Sequence, residues 1–147
     1  MPLHEAVSLD YVVLVELLLE HGANVHALAE EILRTPLHIA AKNGCEAATA
    51  LLIQKGAIVD EIDEDGYTPL LDAAQNGHIE VVRLLVREGA NVEATSEGGS
   101  TALALAELGG HKDVALFLIS RGANFEGHEE LLELLDDTDA ERRQAVS

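Results

Sequence analysis

The sequence predicts an all-α fold, a solenoid of stacked helix-turn-helix units joined by β-hairpin-like turns. Two kinds of residue recur with one period. The leucines lie 34, 33 and 33 residues apart, at Leu3, Leu37, Leu70 and Leu103. The glycines repeat the same spacings, at Gly22, Gly56, Gly89 and Gly122. Each period also holds start and stop signals for two helices of roughly eight to ten residues, which would be marginal alone in water. Neighbouring units must therefore pack on one another.

The unit at residues 62–94 shows these signals most regularly. Thr68 and Pro69 predict a helix start, since a hydroxyl can accept an orphan backbone N–H and proline fits the first helical position. Gly77 ends this helix, because glycine adopts the left-handed conformation without a Cβ clash. A second helix begins at His78 and ends at Gly89; its apolar residues are Val81, Val82, Leu84, Leu85 and Val86.

Two motifs carry a family resemblance. The element T-P-L-H-x-A-A stands at residues 35–41, and G-H-x-E-V-V-x-L-L-x-x-x-G-A-N-V stands at residues 77–92. With a period near 33 residues, the chain resembles the ankyrin repeat family. The resemblance covers residues 1 to about 126 as four repeats, at about 1–29, 30–61, 62–94 and 95–126. We expect residues 127–147 to form a C-terminal capping helix and an acidic tail.

The first repeat departs from the pattern. Repeat 1 has Asp10 where later repeats have glycine, and its second helix is richer in apolar residues than a terminal repeat of a solenoid should be. We therefore expect more chain, or a partner, to cover that helix.

The first connector and the last repeat depart from it as well. The connector at 31–34 lacks a turn glycine and should be a wider loop, with Ile32 and Leu33 near its solvent-facing tip. In repeat 4, Glu107 replaces a small alanine, which suits a face covered by something polar. A helix at 128–135 could lay its leucines there.

Composition indicates one domain with an aliphatic core. The chain has 147 residues, 48% of them apolar, with two Tyr, two Phe and no Trp. The single cysteine, Cys45, excludes an internal disulfide and suits a reducing compartment, and no apolar run approaches 18 residues. We expect a cytoplasmic protein, with the nucleus as the alternative, and a monomer.

The formal net charge of −18 bears on the partner. A negative field repels phosphate backbones and anionic membrane surfaces, so we expect neither nucleic acid nor membrane as a partner. A protein partner with a basic surface or segment is favoured. The alternative is that the acidity serves solubility alone.

No residue pattern predicts catalysis, a metal site or a cofactor. His4 and His38 share one repeat position, and His78 and His111 share another; the resemblance implies structural histidines that bond to adjoining backbone. Cys45 lies at a helix N-terminus, which could depress its pKa, but no orienting partner is predictable and an ordinary substitution is the better interpretation. Asp63, Glu64 and Asp65 lack the ligand pattern of a calcium loop, so we expect solvated charges on a turn tip.

The resemblance implies a protein-interaction module that binds through its turn tips and the concave face of each first helix. The alternative is an architectural or regulatory segment of a larger multidomain protein. The residues at those groove positions are Glu31, Ile32, Arg34, Lys42, Asn43, Glu64, Asp65, Tyr67, Gln75, Asn76, Glu97, Ser100 and Leu108. Tyr67 is the best single anchor, because a rigid amphipathic ring loses little entropy on binding. Its alternative role is to pack against the adjacent turn.

Overall fold

The structure, a computed structural model, describes residues 2–29, 32–128, 130, 131 and 133. Within these residues the regular elements are all helices, and the only bridge is an isolated one between Thr95 and Thr101. The helices are α1 (Pro2–Ser8), α2 (Val12–Glu20), α3 (Pro36–Asn43), α4 (Glu46–Gln54), α5 (Pro69–Gln75), α6 (Ile79–Arg87), α7 (Ala102–Leu108) and α8 (Lys112–Ser120). The predicted all-α repeat fold is confirmed.

Threonines begin the inner helices as their sequence positions predict. The hydroxyl of Thr68 accepts the backbone N–H of Leu71 at 3.3 Å, and that of Thr101 accepts the N–H of Ala104 at 3.2 Å. Each bond satisfies a donor that the first helical turn leaves free. Gly77, with φ of 73°, follows the end of α5 and redirects the chain into α6.

The helices stack in two rows. The inner row packs α1 on α3, α3 on α5 and α5 on α7, and the outer row packs α2 on α4, α4 on α6 and α6 on α8. The core between the rows is aliphatic, as composition predicts; seven leucines in it are at most 1% exposed, namely Leu37, Leu52, Leu70, Leu71, Leu85, Leu103 and Leu118. Each repeat therefore shares its buried surface with its neighbours.

The turn between repeats 1 and 2 is one residue wider than the later turns. Its closing hydrogen bond joins the N–H of Ala29 to the carbonyl of Arg34, whereas the next turn is closed between Asp63 and Tyr67, four residues apart. Ile32 and Leu33 are 43% and 46% exposed, so their predicted place at the tip is confirmed. Although the connector lacks a turn glycine, Leu33 adopts φ of 47°, where the following turn uses Gly66, because closing the turn requires that backbone direction.

Residues beyond repeat 4 cover part of its open end. Leu131 is 6% exposed and belongs to the core, and His128 contacts the carboxylate of Glu107 through Nδ1. Glu107 thus meets a polar group, which explains how a charge is tolerated there. The rest of the predicted capping helix and acidic tail lies outside the described residues. No helix in the described part of the chain is long and apolar enough to cross a membrane.

Replacing Leu84 by alanine should lower the free energy of unfolding by roughly 2 to 5 kcal/mol, because a buried leucine is truncated and a cavity remains. Leu84 is 6% exposed. The matched control is Leu108→Ala, the same substitution at a side chain that is 86% exposed. Urea denaturation of both variants measures the difference. A loss below about 0.5 kcal/mol for Leu84→Ala would contradict the repeat alignment.

Candidate functional site

The predicted groove residues form columns that run across the repeats, because equivalent residues are stacked side by side. Glu64 and Glu97 share a turn-tip position, and Glu31, the third member of that column by sequence, lies outside the described residues. A second column contains Arg34, Tyr67 and Ser100. A third runs along the ends of the inner helices, through Lys42, Gln75 and Leu108. The remaining positions are Ile32 and Asp65, which are equivalent residues at the tips of repeats 2 and 3, and Asn43 and Asn76, beside the third column; all four are exposed.

The tips of repeats 3 and 4 touch through their backbones. The N–H of Glu97 donates to the carbonyl of Asp65 at 2.9 Å. A Cβ on Gly66 would come within 2.9 Å of the same nitrogen, so only glycine allows this approach. Glu64, Asp65 and Glu97 are all exposed. The contact therefore holds three carboxylates along one edge.

Four histidines hold the backbone of the groove. Nε2 of His38 donates to the carbonyl of Tyr67 at 2.8 Å, and Nε2 of His4 reaches the carbonyl of Arg34 at 3.1 Å. Each bond joins one repeat to the turn of the next. Burial is the main cause that lowers the pKa of His38. Its Nδ1 accepts the N–H of Thr35 at 3.3 Å, which fits a neutral ring that donates from Nε2.

The other two histidines bond in the opposite direction along the array. Nε2 of His78 donates to the carbonyl of Lys42 at 2.8 Å, and that of His111 to the carbonyl of Gln75 at 3.0 Å. All four acceptors are carbonyls of predicted groove residues. The structural role that the resemblance implied for the histidines is confirmed. Among the described residues, no group of three or more His, Cys, Asp or Glu is placed to hold a metal ion.

Arg34, one of the predicted groove residues, belongs to a largely buried ionic cluster. Its Nη2 lies 2.9 Å from Asp63 and its Nη1 lies 3.1 Å from Asp72. The Arg34 side chain is only 14% exposed. Its charge is therefore paired with two carboxylates of the next repeat.

Asp63 was expected to be a solvated tip charge, and this is wrong: it is 6% exposed. One carboxylate oxygen accepts the N–H groups of Asp65 at 3.0 Å and Tyr67 at 2.8 Å, while the other meets Arg34. The side chain turns inward because it closes the turn beneath its own tip. Asp63 thus shapes the tip on which Glu64 and Asp65 are exposed.

Asp72 is the residue that sequence reasoning missed. It is 2% exposed, and its Oδ2 has no hydrogen-bond partner among the described residues. Burial raises the pKa of Asp72 to about 6; the charge of Asp63 also raises it, while Arg34 and Lys42 oppose the change. A signal was present, since Asp72 occupies the repeat position of Ile39 and Leu105. A carboxylate at an apolar position requires a buried partner.

The two remaining residues with assigned roles lie as follows. Tyr67 is partly buried and packs against the core, so its ring presents only part of its surface to the groove.

Cys45 is 6% exposed, and its Sγ lies 3.6 Å from the carbonyl of Val7. Burial raises the pKa of Cys45 to about 11, opposite to the depression that its helix position could have caused. An inert thiol in the core is the result.

Comparison with known proteins returns one family. A family model described as ankyrin repeats (3 copies) matches residues 3–96 and, in an overlapping match, residues 37–129. No curated protein matches the chain.

Replacing Arg34 by methionine should lower the free energy of unfolding by about 3 to 5 kcal/mol, because two buried carboxylates lose their shared cation. The control is Lys55→Met, which removes an exposed cation of similar length outside this cluster and should change stability by less than about 0.5 kcal/mol. Chemical denaturation near pH 7 compares the two. Equal, small effects would show that Arg34 does not stabilise the array.

Asp72 should make the array more stable as the pH falls. Its folded pKa of about 6 lies above its ordinary value of 3.8, so the folded state binds the proton more tightly. The stability contributed by protonation grows as the pH drops through about 6 and levels off below about 4, by about 3 kcal/mol in total. Because other carboxylates also titrate, the measurement is the difference between wild type and Asp72→Asn across that range. A difference that stays constant with pH would contradict the raised pKa.

Proposed function

This chain belongs to the ankyrin repeat family, and from that premise we propose that it is a non-catalytic module that binds a basic segment of a partner protein along its turn tips. Ankyrin repeats are generally protein-protein interaction modules, and the family is generally non-enzymatic. The observation that carries the proposal is the edge formed by Glu64, Asp65 and Glu97. These carboxylates are exposed, while the backbone beneath them is fixed.

The ordered backbone beneath these carboxylates favours their use as a binding surface. The Asp65–Glu97 hydrogen bond joins two tips, and Asp63 closes the turn from below. A partner therefore meets carboxylates whose backbone is already ordered, which reduces the entropy lost on binding. Surface charges on a freely moving loop would not offer this advantage.

The distance between repeats suggests the form of the partner. Packed helices lie about 8 to 10 Å apart, and a chain in the extended polyproline II conformation advances about 3.1 Å per residue with three residues per turn. A lysine or arginine at every third residue of such an extended segment would lie on one face and would thus meet successive tips. Tyr67 adds a partly exposed ring one column inward, over which an arginine could lie. The net charge of −18 would speed the encounter with such a segment.

Three substitutions test the edge: Glu64→Gln, Asp65→Asn and Glu97→Gln, made together. The probe is a fluorescent 12-residue peptide with lysine or arginine at every third position. Its affinity should fall at least tenfold, a loss of about 1.4 kcal/mol, while the melting temperature changes little because the three side chains are exposed. Fluorescence anisotropy at two salt concentrations measures both the affinity and its ionic component.

The control removes the same number of charges elsewhere, by Glu46→Gln, Glu80→Gln and Glu88→Gln on the exposed surface of α4 and α6 and just after α6. This variant should lose less than about threefold in affinity, since only the general field is weakened. Equal losses in both variants would reduce the effect to net charge. An unchanged affinity in the tip variant would refute the placement of the site.

A further inference from the structure

Repeat 1 exposes an apolar surface along α2. It consists of five side chains, which we call the α2 face: Leu9 (54% exposed), Tyr11 (57%), Val13 (81%), Leu14 (41%) and Leu17 (49%). Together with Asp10 and Val12, most of them line a shallow apolar groove. Single exposed apolar residues are ordinary, but a contiguous group marks a surface that binds something.

Part of the α2 face corresponds to positions that the later repeats bury against their neighbours. The equivalents of Leu14 are Ala48, Val81 and Val114, which are at most 1% exposed. The equivalent of Leu17 in repeat 3 is Leu84, which lies beside Ala50 and Ile53 of the preceding outer helix. Leu14 and Leu17 thus occupy repeat positions that are buried where one outer helix packs on another, as α4 packs on α2 and α6 packs on α4.

Two further positions of the α2 face, Leu9 and Val13, are not buried in the later repeats. Leu9 is equivalent to Asn43, Asn76 and Gly109, and Val13 is equivalent to Ala47, Glu80 and Asp113; all six are exposed. A stacked neighbouring repeat therefore leaves these positions in solvent. Repeat 1 alone has large aliphatic side chains at them. The apolar surface is wider than a further repeat would cover, which points to a different occupant.

Charge indicates the chemistry of that occupant. Residues 2–29 contain four exposed carboxylates, Glu5, Asp10, Glu16 and Glu20, and neither lysine nor arginine. Asp10 lines the groove, and Glu16 and Glu20 lie on α2 itself. A second copy of the chain would bring the same carboxylates against these, at a cost in repulsion, whereas a helix with basic residues beside its apolar stripe would meet complementary charges.

We propose that the α2 face is the docking site for an amphipathic helix of a partner protein, whose aliphatic stripe is flanked by lysine or arginine. The helix would lie alongside α2 as α2 lies alongside α4, and it would extend over Leu9 and Val13. This surface is separate from the turn-tip edge, and its occupant is a helix with an apolar stripe instead of an extended basic segment.

A designed 18-residue peptide serves as the probe, helical in solution, with leucines at i, i+3, i+4 and i+7 and lysines flanking the stripe. It should bind wild type at least tenfold more tightly than Val13→Gln/Leu17→Gln. The control variant, Ile58→Gln/Ile62→Gln, removes two other exposed apolar side chains and should bind as wild type does. Val13→Gln alone, at a side chain 81% exposed, provides a milder variant for which folding is not in question. The triple tip variant should lose less than about threefold in affinity for this peptide, since it weakens only the general field, which separates this test from that of the proposed function.

Four results would overturn the proposal. The peptide could bind Val13→Gln and Val13→Gln/Leu17→Gln as tightly as wild type, or a peptide with the same lysines but a scrambled stripe could bind equally well. Sedimentation velocity could show a dimer of the wild type that Val13→Gln/Leu17→Gln abolishes, which would assign the face to a second copy. Finally, the polypeptide isolated from its source cell could fail to bind because another of its own segments covers α2.

Discussion

Among the described residues, no helix pair buries its apolar side chains by itself, and this constraint governs the fold. The helices are seven to nine residues long, too short to persist alone in water. Leu37, Leu70 and Leu103 are nevertheless almost fully buried, because each lies between stacked repeats. Order in one repeat thus depends on the presence of the next, which is the energetic logic of a solenoid.

The bonds that join the repeats also build the groove. His38 ties the carbonyl of Tyr67, and His78 ties that of Lys42, so a stabilising contact and a candidate binding residue share one peptide unit. The ionic cluster of Arg34 acts similarly between repeats 2 and 3. It closes over Asp63 and Asp72 only when the repeats are stacked in register, since any slip leaves a carboxylate buried without its cation. Stability and groove geometry therefore cannot be changed independently in this region.

The period of the sequence predicts the helices and their order, because Thr68, Pro69 and Gly77 act locally and recur. The sequence does not predict which side chains face one another between repeats. In the linear sequence, nothing distinguishes Arg34 from Lys42 or Asp63 from Glu64. Only the stacked structure shows that Arg34 and Asp63 face each other. The φ of Leu33 is likewise imposed by turn closure and not by its own preference. The burial of Asp72 could have been predicted from the sequence, because a charge at an apolar repeat position already implies a buried partner.

The two proposed surfaces differ in chemistry but are connected through the array. A helix on the α2 face would stabilise repeat 1 by mass action, in proportion to the logarithm of its concentration. Repeat 1 reaches repeat 2 through the bond from His4 to the carbonyl of Arg34. Arg34 in turn holds Asp63, which closes the turn beneath Glu64 and Asp65. Because solenoid coupling passes between nearest neighbours, occupancy at the first repeat would act most on repeat 2, less on the tip of repeat 3 through this chain of contacts, and least on the tip of repeat 4.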